Sequence, residues 1–176
     1  MPQQPAPEFS RLVSVEDLEP GGEISRKIEA DEAERAALAE RMDLVRLDML
    51  SADITLRRVS GKGLIRASGR LLADVVQNCV ATMAPVPGHI EEDIDELFAP
   101  EGYEAPEEQD VDDLPESFDG REIDIGELAA QLMCLALDPY PRASEAAIEI
   151  QVAGEPDDAE RRRPFEGLAE MLKKRN

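Results

Sequence analysis

The chain has no tryptophan, two tyrosines, four phenylalanines, two cysteines and one histidine among its 176 residues. So few aromatics leave little on which nucleic-acid bases could stack, and the core has to be built from Leu, Ile, Val, Ala and Met. Cys79 and Cys134 are too few for a disulfide scaffold and too far apart in sequence to form a metal knuckle by themselves. A reducing compartment suits both. Long apolar runs are also missing: the densest stretch, Leu128 to Leu137, is interrupted by Gln131 and falls well short of the ~18 to 20 residues that cross a bilayer. The opening MPQQPAPEFS has neither the basic nor the apolar region of a secretory signal, so a cytoplasmic location and no membrane partner are expected. Basic side chains are scarce as well. With 19 of them against 40 acidic ones, the net charge is −21 and the pI about 4.3, which opposes extended contact with phosphate backbones.

An apolar fraction of 42%, close to the ~45 to 50% of globular chains, shows that this charge is added to a foldable sequence. The length predicts one domain, placed at residues 1–153, with a linker and a C-terminal helix at 154–176. Residues 91–124 hold 16 acidic side chains against Arg121 alone, a net charge of −15. Their proline-containing part, about 100–120, reads as a mobile, self-repelling acidic loop. The opposite bias closes the chain with Arg161, Arg162, Arg163, Lys173, Lys174 and Arg175.

Three helices have start signals. Asp31 and Glu34 form a capping-box spacing ahead of Ala33 to Met42, and Asp124 and Glu127 repeat it ahead of Ile125, Leu128, Ala129, Leu132, Met133 and Ala136 at helical spacing. The third opens at Pro164 and carries Phe165, Leu168, Ala169 and Leu172 on one stripe. Between them lie strands. Phe9 to Val15 and Ile24 to Ile28 are short candidates, and residues 44–59 alternate with a change of phase that a bulge near Met49 and Leu50 would explain. Ile65, Ala67, Leu71, Ala73 and Val75 share odd positions in Leu64 to Met83, Pro85 to Gly88 reads as the next turn, and Ile90 to Phe98 returns. The predicted fold is α+β: an antiparallel β-meander, open or barrel-like, with flanking helices and the long acidic loop.

Chemistry-bearing constellations are thin. His89 reads as a surface residue of the Pro87-Gly88 turn, and Gly61, Gly63 and Gly69 precede more strand, whereas a phosphate cradle opens a helix. Cys134, set among Leu132 to Leu137, is expected to be a buried, inert thiol. No nucleophile has a sequence-local base, so no catalytic residue and no small-molecule substrate are assigned.

The string GLIRASGRLLADVVQNCVATMAPVPG, the helix IDIGELAAQLMCLALDPYPR and the terminal RPFEGLAEMLKKR, in that order, resemble the YceD family of large ribosomal RNA subunit accumulation proteins. The resemblance implies a bacterial-type, non-enzymatic role in ribosome biogenesis. Its implied partners are the large-subunit precursor or its assembly factors, with basic ribosomal proteins meeting the acidic loop. Many relatives carry a C-x-x-C at the position of Cys79, and some carry further cysteines after the second helix, a pattern suggestive of zinc. Here Cys79 is followed by Thr82, and residues 140–144 have no cysteine, so no metal or other cofactor is expected and Cys79 reads as a small packed residue.

Two further readings follow from charge. The basic flanks Arg161 to Arg163 and Lys173 to Arg175, with Phe165, Leu168 and Leu172 between them, would make a partner or RNA contact. The alternative function is an acidic protein-interaction module, or chaperone of basic partners, with no RNA role.

Overall fold

The computed structural model describes residues 7–19, 21–59, 63–103 and 114–144. At its centre three long strands follow one another as an antiparallel meander: β3 (Arg46–Arg58), β4 (Ile65–Asn78) and β5 (Pro85–Pro100). Strand β2 (Glu23–Glu29) pairs antiparallel outside β3, and the short β6 (Glu116–Phe118) lies parallel outside β5. The order β2-β3-β4-β5-β6 leaves two free edges, so the sheet is open and not closed into a barrel. A separate two-stranded ladder joins β1 (Leu12–Ser14) to β7 (Glu122–Asp124). A 3₁₀ turn at Val15–Asp17 ends β1, which makes this strand shorter than the predicted Phe9 to Val15.

Period-two patterning decides which face is covered. Leu50, Ala52, Ile54 and Leu56 of β3, Ile65, Ala67, Leu71, Ala73 and Val75 of β4, and Ile90, Ile94 and Phe98 of β5 are buried together. Helix α2 (Ile125–Ala136) lays Ile125, Leu128, Ala129 and Met133 into that cluster, and Phe9 and Leu38 of α1 (Glu32–Arg41) complete it. The other face is polar: Arg66 pairs with Asp95, Arg70 with Glu91 at 2.8 Å, and Ser25 with Thr55 at 2.8 Å. The phase change in β3 is a bulge between Leu47 and Met49, with Asp48 as the extra residue, one step earlier than predicted.

The helix starts follow their caps. Asp31 accepts from the Glu34 amide at 2.9 Å while Glu34 accepts from the Asp31 amide at 2.8 Å, a closed capping box. At α2 the spacing is the same but the box is open. Asp124 takes the amides of Gly126 and Glu127, while the Glu127 carboxylate turns to Arg41, 2.8 Å away. Arg41 also meets Glu8 at 2.9 Å, so one guanidinium ties both helices and the N-terminal segment.

One predicted turn is corrected, and with it the place of His89. Pro85 to Gly88 opens β5, and the reversal lies one step earlier at Cys79–Ala84, closed by bonds from Cys79 N to Ala84 O and from Met83 N to Cys79 O, with Met83 at φ 59°. His89 is therefore a strand residue, opposite Asp74, whose carboxylate lies 2.7 Å from its Nδ1. Five acids of the charged run, Glu91, Glu92, Asp93, Asp95 and Glu96, belong to β5, and Glu116 to β6. The predicted loop core at 104–113, the third helix and the boundary at 153 lie outside the described residues. Among the described residues no helix is long and apolar enough to cross a membrane.

Candidate functional site

The position singled out by sequence, Cys79, follows the last residue of β4 and starts the turn into β5, where it has no exposed surface. Segment 138–143, which follows α2, is bonded onto this turn at three points: Gln77 Nε2 to the Asp138 carbonyl at 2.9 Å, Val80 N to the Pro141 carbonyl at 2.9 Å, and Ala143 N to Cys79 Sγ at 3.4 Å. The Ala84 amide donates to the Thr82 hydroxyl, which in turn donates to the sulfur. These donors lower the Cys79 thiol to a pKa of about 6, the Thr82 hydroxyl first, then the amides of Ala143 and Ala81; burial opposes the shift and is outweighed.

The arrangement holds a thiolate among N–H and O–H donors at the place where a metal knuckle would hold it with zinc. The donor set does not fit zinc: Thr82 and Ala143 face the sulfur, and among the described residues no three His, Cys, Asp or Glu side chains converge on a point. What the site does is fasten the segment after α2 to the β4–β5 turn. A pH series tests it. The unfolded thiol holds its proton up to its ordinary value near 9.0, whereas the folded one releases it near 6, so the thiolate contributes most above pH 9 and is lost as pH falls through about 6. Unfolding free energy measured in denaturant is expected to rise between pH 6 and 9 in the parent relative to Cys79→Ser, and parallel curves would refute the thiolate.

Of the other candidate residues, Arg161, Arg162, Arg163, Phe165, Leu168, Leu172, Lys173, Lys174 and Arg175 lie outside the described residues. Cys134 is exposed, contrary to the buried thiol expected from its apolar neighbours; the helical turn carries it away from the stripe that ends in Met133. Sequence reading missed Asp138, Pro141 and Ala143 as partners of the Cys79 turn, because they bond through backbone groups, which leave no side-chain signature.

One family model matches residues 67–172, more than half of the chain, and that stretch takes in the clasped turn, α2 and the segment after it. Its description is Large ribosomal RNA subunit accumulation protein YceD. The chain belongs to the YceD family. The matched region begins within β4, so β1, β2, α1 and β3 lie outside the match although β3 pairs along nearly all of β4. No curated protein and no solved structure in the comparisons matches the chain. The family description places the protein with large-subunit ribosomal RNA accumulation.

Proposed function

We propose that this YceD protein is a non-enzymatic, cytoplasmic factor of ribosome biogenesis that supports synthesis or accumulation of large-subunit ribosomal RNA through protein contacts on the precursor or its assembly factors. The family match carries the reading. Charge supports its second half, since a chain at −21 repels phosphate over most of its surface and attracts basic proteins.

Deleting the gene is expected to lower large-subunit RNA relative to small-subunit RNA, read as the ratio of the two in total RNA. An unchanged ratio rejects the proposal. The charge of residues 91–124 favours the second reading, an acidic module for basic partners without RNA involvement. Association with ribosomal precursors that persists unchanged after ribonuclease treatment, together with a normal RNA ratio in the deletion strain, would select it.

A further inference from the structure

Seven large apolar side chains stand exposed among the described residues, and four of them lie on two segments that hydrogen bonds join. Val80 (50% exposed) and Met83 (68%) lie on the β4–β5 turn, and Leu135 (82%) and Tyr140 (72%) lie at the end of α2 and just beyond it. These are the two segments that the Cys79 clasp bonds together. They are also bare of charge in a chain one-third charged: residues 75–88 and 128–137 contain no Asp, Glu, Lys or Arg, and Asp138 and Arg142 stand only at the rim. Exposed Met, Leu and Tyr on segments bonded to each other and free of charge make an anchor site for a partner.

We propose that this uncharged pole is a docking surface for a basic protein of the large ribosomal subunit or its precursor, which inserts an apolar anchor between the turn and the end of α2. The subunit origin of the partner rests on the proposed function; the pole itself rests on the exposed side chains. Charge selects the occupant. RNA would need cations to neutralise phosphates, and the two segments offer Arg142 alone. A second copy would bring another −21 against the first. A basic partner is drawn in by the acidic strands, and the pole then supplies contact free of unpaired buried charge. Steering and anchoring are thus carried by different parts of one surface.

The full-length protein is immobilised, and the probe is the RNA-free protein fraction stripped from purified large subunits by high salt. The parent is expected to retain a basic protein at one-to-one stoichiometry. With that protein purified, Leu135→Ser/Tyr140→Ser should weaken binding by about tenfold or more through faster dissociation, and Met83→Ser should weaken it several-fold. Raised salt should slow association equally in all three, and melting temperatures should stay within ~2 °C of the parent. The proposal is overturned if nothing is retained or if affinity is unchanged in both variants. Naked large-subunit RNA that binds the parent and not the double variant overturns it in favour of RNA, and a parent dimer split by the substitutions does so in favour of a second copy. A melting temperature several degrees lower overturns it too, because the side chains then belong to the chain's own packing. Complementation separates the two readings: if the parent gene and the double variant both restore the RNA ratio, the pole fails and the proposed function stands. If deletion never changes the ratio, the proposed function fails, and the binding data alone judge the pole.

Discussion

Gly69→Ala is expected to destabilise the domain by about 3 kcal/mol or more, seen as a fall in melting temperature of ~6 to 12 °C. A methyl built there would lie 1.9 Å from the Asp53 carbonyl oxygen and 3.1 Å from the Ile54 Cα, both backbone atoms that cannot swing aside. Gly69 sits mid-strand between Ile54 on β3 and Ile94 on β5, so relief has to come from parting the central strands of the sheet. Gly88→Ala is the control. Its methyl would meet only Val75 Cγ2 at 3.4 Å, and it should leave stability within ~0.5 kcal/mol of the parent. A Gly69→Ala protein that melts within ~2 °C of the parent would show that the strands do not approach this closely.

The second large effect belongs to Asp124. Its carboxylate accepts four bonds: from Ser10 Oγ at 2.6 Å, the Arg11 amide at 2.7 Å, and the amides of Gly126 and Glu127 at 3.0 and 3.2 Å. It therefore caps α2 and at the same time pins the N-terminal segment onto it. Losing a cap alone costs ~1 kcal/mol, and stranding partly buried donors adds ~1 to 3. Asp124→Ala should cost about 2 to 4 kcal/mol in denaturant unfolding. Asp124→Asn, which keeps one carbonyl oxygen for the amides, should recover more than half of that. A loss below ~1 kcal/mol for the alanine variant would mean that the N-terminal segment is held by other contacts, such as the Arg11 pair with Glu34.

The two described helices were legible in the sequence because their starts are chemical: Asp31 and Asp124 both turned out to cap, and only the destination of Glu127 depended on a distant residue, Arg41. Strand faces were legible because alternation in β3 and β4 reports burial directly, and the slip around Asp48 reports the bulge. The β4–β5 reversal was misplaced because Pro85, Pro87 and Gly88 carry the usual marks of a turn. These residues pair with β4 on one side only, since β6 reaches no further than Phe98 to Pro100, and a proline can lack its N–H where a strand faces open edge. The acidic stretch about 100–120 read as loop throughout, although Glu116 to Phe118 within it form β6. Its charge says that side chains meet water, and a solvent-facing strand satisfies that as well as a loop does. At the site, Cys79 was legible as a packed residue, but its partners were not. The signal that could have found the pole was the pair of charge-free stretches, together with an α2 apolar on nearly every side.

The ladder between β1 and β7, with Arg11 bonded to Asp124 at 113 positions' distance, fixes the order in which this domain can be finished. Strands β3 to β5 follow one another as hairpins and β2 joins β3 across α1, so these strands can pair while the chain is still being made. The layer over their apolar face must wait for residues 122–136 to be synthesised and then close a long loop, a slow step because distant contacts are found last. Until then the meander exposes its apolar face, and the carboxylates of β5 oppose pairing of that edge with another chain. The segment that carries Leu135 and Tyr140 is bonded to the turn of Val80 and Met83 only at this closing step, so a partner that requires all four can recognise only molecules whose synthesis has passed that point.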